Sequence, residues 1–191
     1  MRNVGALILA AGGSARFGEP KQFLQFEGET LLRRVAKAAH EAGCGPIVVV
    51  AGDSADRVRA ELHDLRVHVV QNADWRCGIG TSIKLGLAHL RPDVSAIVIL
   101  ACDQPFVSAE IIRKLCGDNG PIVASGYAET VGIPALFDSC YFDALASLPD
   151  NAGAKSLIEA HRADVAVVPF PDGAIDIDTR ADYETFVRLL P

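Results

Sequence analysis

The stretch Val4-Gly5-Ala6-Leu7-Ile8-Leu9-Ala10-Ala11-Gly12-Gly13-Ser14-Ala15-Arg16-Phe17-Gly18-Glu19-Pro20-Lys21 decides how the rest of the chain is read. Its first half is a short apolar run, as a strand buried on both faces of a parallel sheet requires. Glycines follow at once, without a secretory cleavage pattern, so the run reads as a strand and not as a signal peptide. Its second half is a glycine-rich loop carrying two cations, Arg16 and Lys21. Ala10, Ala11, Gly12 and Gly13 leave backbone N–H groups unobstructed, and a run of such groups cradles anionic oxygens. Arginine grips phosphate oxygens through two parallel hydrogen bonds, whereas lysine acts as a mobile point charge. The bland alternative is a tight strand-to-helix turn that needs glycine for positive φ, with both cations merely solvated.

Two familiar phosphate loops do not fit this spacing. The dinucleotide fingerprint needs Gly-x-Gly-x-x-Gly, and here the glycines are adjacent. A Walker A loop needs Gly-Lys-Ser/Thr, but Glu19-Pro20 separates Gly18 from Lys21 and no hydroxyl follows. Pro20 also argues against a helix running through that point.

Outward from this stretch, strand-like and helix-like runs alternate. Val4–Ala10, Pro46–Ala51, Val67–Val70 and Ala96–Ala101 are short, apolar and β-branched, and Pro121–Ala124 and Val165–Pro169 look similar. Amphipathic segments lie between them. Thr30 caps a helix that Gly43 ends, Ser54 starts a second, and Ser82–Leu90 and Ser108–Cys116 form a third and fourth. Thr179-Arg180-Ala181-Asp182 opens a last one with capping-box-like spacing. Such alternation implies an α/β fold: a Rossmann-like, three-layer α/β/α arrangement with a mostly parallel sheet. After about residue 125, Gly126, Gly132, Pro134, Pro149 and Gly153 punctuate the chain, so an excursion from the simple pattern is expected there. With no repeat or linker, the 191 residues read as one domain over 1–191.

Composition excludes several classes. Eighteen basic and twenty-four acidic residues give a net charge of −6, which disfavours a nucleic-acid partner. No apolar run reaches the roughly 18 residues of a membrane span, so no membrane is expected. The five cysteines, Cys44, Cys77, Cys102, Cys116 and Cys140, are odd in number and dispersed. They read as free thiols in a reducing cytoplasm and not as a zinc or disulfide framework. The five histidines are scattered, and no Ser-His-Asp or Cys-His set is evident. Trp75, the one tryptophan, reads as a packing anchor or a stacking surface.

Asp103 follows the run Ala96–Ala101, which sets it at a strand's carboxyl end on the rim of the first loop. Ligands of open parallel sheets bind on that rim. A carboxylate there holds a hard cation against triphosphate oxygens, or else serves as a turn residue before the Ser108 helix. Asp176 and Asp178 share one face if their segment is extended.

Leu9-Ala10-Ala11-Gly12-x-Ser14-x-Arg16-x-Gly18-x-Pro20-Lys21 resembles the signature loop of the MobA-like NTP transferases, in the branch of molybdenum cofactor cytidylyltransferase. Asn72-x-x-Trp75-x-x-Gly78-x-Gly80-x-Ser82, Asp103-Gln104-Pro105, Gly132-x-Pro134-x-Leu136-Phe137, Gly153-Ala154-Lys155 and Asp176-Ile177-Asp178-Thr179 follow in the family's order. The resemblance implies a fold of the nucleotide-diphospho-sugar transferase type. The implied activity moves a nucleotidyl group from an NTP to the phosphate of a molybdopterin-type cofactor, with Mg2+ (or Mn2+) and release of pyrophosphate. It assigns Arg16 and Lys21 to catalysis and Leu9, Ala10, Ala11, Gly12 and Gly13 to the nucleotide. Asp103 and Asp178 are the implied metal ligands, with Asp176 as the alternate. Asn72, Gly78 and Ser82 would line the base, although Asn72 also suits a turn and Ser82 an N-cap.

Leu-Ala-Ala-Gly, with Ala11, goes with CTP in the family, whereas Leu-Ala-Gly-Gly goes with GTP. The acceptor segment departs from the pattern. Gly-Asp-x-Gly-Ala-Arg is usual, and here Asp150-Asn151-Ala152-Gly153-Ala154-Lys155 stands. Lys155 keeps the charge but loses bidentate geometry. Asn151, Gly153 and Lys155 are therefore candidate acceptor residues, for a molybdopterin-type or another phosphorylated small molecule. A client molybdoenzyme is the further partner that the resemblance suggests.

Overall fold

The computed structural model describes residues 2–12, 20–175, 177 and 183. Seven strands form one sheet: β1 (Val4–Ala10), β4 (Ile47–Ala51), β5 (His68–Gln71), β6 (Ala96–Ala101), β7 (Ile122–Tyr127), β8 (Thr130–Asp138) and β9 (Val165–Pro169). Their spatial order is β5-β4-β1-β6-β8-β7-β9, and every pairing is parallel except those made by β8. A separate hairpin, β2 (Gln25–Phe26) with β3 (Glu29–Thr30), follows the first loop.

The period of two along each strand sorts the core into two layers. Ala6, Ile8 and Ala10 of β1 face one side with Val49, Val98 and Val123. Helices α1 (Leu31–Glu41), α2 (Ala55–Glu61) and α4 (Ala109–Gly117) cover that side. Leu7, Val48, Val50, Ile97 and Ile99 face the other side. There α3 (Ile79–Leu90), α5 (Phe142–Ala146) and α6 (Ala154–Ala160) cover them. Burial on both faces is why β1, β4 and β6 read as unbroken apolar runs.

Helix starts follow local chemistry. The Thr30 hydroxyl accepts from the Arg33 N–H at 3.1 Å and donates to Glu61 Oε1 at 2.8 Å, which joins α1's cap to α2's end. Ser108 caps α4. Ser54 precedes α2 but makes no side-chain cap, and its hydroxyl accepts a longer-range bond from Gln22. Helix α3 begins at Ile79, earlier than the Ser82 start expected, since Gly78 rather than Ser82 is its N-cap residue. The helix expected to open at Thr179 lies outside the described residues.

The excursion after residue 125 is the hairpin β7–β8. Ala124 pairs with Ala135 and Ser125 pairs with Gly132, so Ile133 and Pro134 bulge out of the ladder. Proline has no N–H to contribute, and a bulge is where a strand tolerates it. Side chains take over the orphaned carbonyls. Ser125 Oγ donates to the Pro134 carbonyl at 2.8 Å, and Tyr127 Oη and Gln104 Nε2 donate to that of Ile133 at 3.0 and 3.1 Å. No helix among the described residues is long and apolar enough to cross a membrane.

Candidate functional site

From β1 the chain moves outward to β4 and β5, then returns to add β6 on β1's other side. The crevice between the carboxyl ends of β1 and β6 is therefore the point where strand order reverses. Ligands of doubly wound sheets bind in that place. Ala11, Gly52 and Asn72 follow directly on strands that end at this rim, and Asp103 stands two residues beyond the end of β6.

Along the first loop, Ala10 is buried, Leu9 and Ala11 are half-buried and Gly12 is exposed. A Cβ on Gly12 would meet nothing within 4 Å, and its φ is not in the left-handed region. The turn explanation thus fails at this glycine, whose open face is turned to solvent at the crevice. Gly13 and Arg16 lie outside the described residues. Lys21, half-exposed, opens a short 3-10 turn, Lys21–Phe23. Gln22, which the sequence did not single out, anchors this turn. It is 4% exposed, and its Nε2 donates to the Ala10 carbonyl at 3.2 Å and to Ser54 Oγ at 3.0 Å. Arg57 stacks on the Phe23 ring at 3.8 Å and clamps the turn from outside. A buried glutamine between a lysine and two apolar residues was the available signal, but its partners are distant in sequence.

Asn72 is 4% exposed, and both amide hydrogens are committed: Nδ2 donates to Thr81 Oγ1 at 2.8 Å and to Ser82 Oγ at 2.9 Å. Its Oδ1 accepts from the Asp74 N–H at 3.0 Å, an Asx turn. Asn72 and Ser82 therefore bind each other and brace the loop against α3. Trp75 lies over Gly52, where a Cβ would stand 3.0 Å from Trp75 Cγ and 3.1 Å from the Ala11 carbonyl oxygen. Its Nε1 donates to Asp53 Oδ1 at 2.9 Å, and Arg76 reaches Asp53 Oδ2 at 2.6 Å. Trp75 is thus packed against the rim that Ala11 shares.

Gly78 and Gly80 answer to a close chain approach. Gly78 has φ +135°, and a Cβ there would stand 2.2 Å from the Asp150 carbonyl oxygen. A Cβ on Gly80 would stand 2.2 Å from that of Pro149. The Gly80 N–H donates to the Asp150 carbonyl at 2.8 Å, and the Lys84 ammonium pairs with the Asp150 carboxylate. The sequence treated the segments expected to line the base and to receive the acceptor apart, and the structure brings them together. Asn151 is exposed, Gly153 is the half-buried N-cap residue of α6, and Lys155 is exposed in that helix's first turn.

Asp103 is half-exposed just beyond the end of β6. Its carbonyl accepts from the Ile177 N–H at 3.3 Å. Ile177 is buried with Leu24, Phe26 and Leu31, against Phe106 and Tyr183. Asp176 and Asp178 themselves lie outside the described residues. Among the described residues no group of three or more His, Cys, Asp or Glu could hold a metal ion. Burial, followed by the charge of Asp103, pushes the Cys102 thiol up, which makes it a poor nucleophile. Next to Asp103, Gln104 donates to the Gly173 carbonyl at 3.3 Å as well as to Ile133, and its buried Oε1 has no hydrogen-bond partner among the described residues.

Comparison with known proteins agrees with this architecture. The family described as "MobA-like NTP transferase domain" matches residues 6–165. Nicotine blue oxidoreductase of Paenarthrobacter nicotinovorans is 29% identical over 98% of this chain and 96% of its own length. The probable molybdenum cofactor guanylyltransferase of Bacillus cytotoxicus is 29% identical over 61% of this chain and 57% of its own. The crystal structure of Rv0371c from Mycobacterium tuberculosis H37Rv superposes with a TM-score of 0.82, 30% identity and 97% coverage of each chain. The same protein has also been crystallised as a complex with manganese, with a TM-score of 0.79, 29% identity and coverage of 98% of this chain and 100% of that one.

Proposed function

Because the chain belongs to the MobA-like NTP transferase family, we propose that it transfers a cytidylyl group from CTP to the phosphate of a molybdopterin-type cofactor, releasing pyrophosphate. The observation that carries the reading is the hydrogen bond from the Ile177 N–H to the Asp103 carbonyl at the strand-order reversal. It ties the segment holding Asp176 and Asp178 to Asp103, two residues beyond β6. A hard cation needs oxygen ligands and retains several for phosphates and water, so two aspartates and a triphosphate fit its requirements. Asp103 and Asp178 would hold Mg2+ (or Mn2+), which neutralises phosphate charge when bound; the manganese complex of the Mycobacterium tuberculosis relative supports this.

The acceptor's phosphate oxygen attacks the α-phosphorus, a P–O bond forms, and the bond to pyrophosphate breaks. Positioning and charge neutralisation dominate such a transfer, so no general base is required. The open face of Gly12 lets backbone N–H groups meet the phosphates, Arg16 holds the outer ones, and Lys21 stabilises the departing pyrophosphate. Gln22 is a positioning residue that fixes the Lys21 turn to the end of β1. Asn151, Gly153 and Lys155 receive the acceptor beside the base-lining Gly78 segment. CTP is chosen on Ala11, whose family counterpart for GTP is glycine. The reading places the protein in the cytoplasm, upstream of a client molybdoenzyme.

The test is pyrophosphate release from each of four nucleoside triphosphates, with Mg2+, against molybdopterin and methylerythritol phosphate. CTP with molybdopterin is the expected pair. Preference for GTP would move the reading to guanylyl transfer, and turnover only with a polyol phosphate would change the acceptor. CTP binding without any turnover would indicate a cofactor carrier. Asp103→Ala abolishes release while the far-ultraviolet circular dichroism stays unchanged, because the Ile177 bond uses the backbone carbonyl. A second reading, redox chemistry, is favoured by the full-length relative named an oxidoreductase. Oxidation of NADH or NADPH by a quinone-type dye, without any triphosphate, would establish it.

A further inference from the structure

Beside Asp103 lies a small apolar cluster that belongs to neither layer of the sheet. Leu24, Phe26, Leu31 and Ile177 are buried in it, and Phe106 and Tyr183 pack against it. Its members come from three segments distant in sequence: the hairpin β2–β3 with its flanking residues, the turn after β6, and the segment holding Ile177 and Tyr183. Lys21 stands three residues before Leu24, and Asp103 three before Phe106. Main-chain bonds link these charges to the cluster. The Leu24 N–H donates to the Lys21 carbonyl at 3.0 Å, and the Ile177 N–H donates to the Asp103 carbonyl at 3.3 Å. Two buried residues of one cluster therefore hold the backbones of the two charges.

We propose that this cluster is a positioning device that fixes Asp103 and Lys21 relative to each other, with Phe106 and Ile177 as its positioning residues. The proposal rests on the nucleotidyl-transfer reading above and explains how the charges of that reading keep their spacing. Both stand beyond the strand ends, where the two sheet layers do not reach. A charge on such a loop loses conformational freedom only if something packs beneath it. A transfer that works by positioning loses roughly 100-fold in rate when a reacting group moves by about 1 Å. A satellite cluster under the loops supplies the missing constraint.

The contacts within the cluster are directional. The Phe26 and Phe106 rings meet edge to face, with centroids 5.7 Å apart and planes at 78°. Phe106 also packs against the layer under α1, α2 and α4, so it joins the cluster to the main core. Arg34 covers the Phe26 ring at 4.2 Å and pairs with Glu27 at 2.9 Å. Tyr183 Oη donates to the Gln25 carbonyl at 2.9 Å, which ties its segment to the hairpin. Gln22 holds the Lys21 turn from the other side, through the Ala10 carbonyl.

The experiment compares the full chain with Phe106→Ala, Ile177→Ala and a matched control, Ile122→Ala. Ile122 is as deeply buried as Ile177 but opens β7 at the end of the sheet away from the crevice. Pyrophosphate release from CTP and molybdopterin is followed at saturating Mg2+. Calorimetry gives the affinity for Mn2+ with CTP and no acceptor, and urea midpoints record stability. Phe106→Ala and Ile177→Ala are expected to lower kcat about 10- to 100-fold and to weaken Mn2+ binding about 10-fold, with the KM for CTP within about 3-fold of wild type. Ile122→Ala is expected to lower the urea midpoint while kcat and Mn2+ affinity stay within about 2-fold of wild type. Where an alanine variant does not fold, Phe106→Leu or Ile177→Val replaces it, with a loss of about 5-fold in kcat expected. Asp103→Asn in the same calorimetry separates the two levels of the reading. If it weakens Mn2+ binding while the cluster variants behave like Ile122→Ala, the cluster only stabilises the fold and the proposal is overturned. Unchanged Mn2+ affinity in Asp103→Asn would instead overturn the metal assignment on which the proposal rests.

Discussion

Replacing Gly80 by alanine sets two effects of opposite sign against each other. Gly80 is the second residue of α3, and a helical alanine gains up to about 1 kcal/mol over glycine. The added methyl, however, would stand 2.2 Å from the Pro149 carbonyl oxygen, 2.9 Å from that of Ala152 and 3.0 Å from that of Asp150. An ordinary carbon–oxygen contact is about 3.3 Å, so the segment must retreat by about 1 Å. All three obstacles are backbone, and no rotamer change relieves them. Overpacking of this kind costs about 1–3 kcal/mol, and losing the Gly80 N–H to Asp150 bond costs about 1 kcal/mol more. The net expectation is a loss of about 1–3 kcal/mol, read as a lower urea midpoint with an unchanged slope. Gly12→Ala is the control: its methyl meets nothing within 4 Å, so stability stays within about 0.5 kcal/mol of wild type. A midpoint for Gly80→Ala equal to or above wild type would refute the reasoning, because propensity would then have won.

Lys21→Ala should lower kcat for pyrophosphate release by about 100- to 1000-fold, with the urea midpoint unchanged, as steady-state kinetics and denaturation together would show. Ala128 and Glu129, at the tip of the β7–β8 hairpin, have φ of +44° and +60°, conformations that suit Asn-Gly. Ala128→Asn with Glu129→Gly is expected to stabilise the fold by about 1 kcal/mol in the same urea assay. The hydrogen bond from Arg33 holds the Asp64 carboxyl at about 2, below its unfolded value, so the pair supports the fold above about pH 4 and loses that support as pH falls toward 2. The pair is exposed and its effect small; Asp64→Asn should flatten this part of a melting-temperature profile against pH.

The sheet was legible where its chemistry is local. Val4–Ala10, Ala96–Ala101 and Val165–Pro169 coincide with β1, β6 and β9, because an apolar, β-branched run bounded by polar residues has few other readings. Strand β8 was not legible. Gly132 and Pro134 look like loop punctuation, and only the bulge opposite Ala124–Ser125, with side chains covering its carbonyls, makes them part of a strand. The site divides in the same way. The loop composition and Asp103 stand out in sequence because charge and glycine cluster beside a strand end. Gln22 and the docking of Pro149–Ala152 on Gly78 and Gly80 depend on partners far along the chain, which spacing cannot reveal.

The contact between α3's start and the Pro149–Ala152 segment is made chiefly by main-chain atoms. Such a joint is indifferent to which side chains project from the segment beyond it. Substitution at Asn151 or Lys155 can therefore accumulate without loosening the half of the crevice built on β1, β5 and α3. On the proposed assignment of the acceptor, a lineage with this joint can exchange one acceptor for another while inheriting its nucleotide chemistry intact, provided that the two glycines persist.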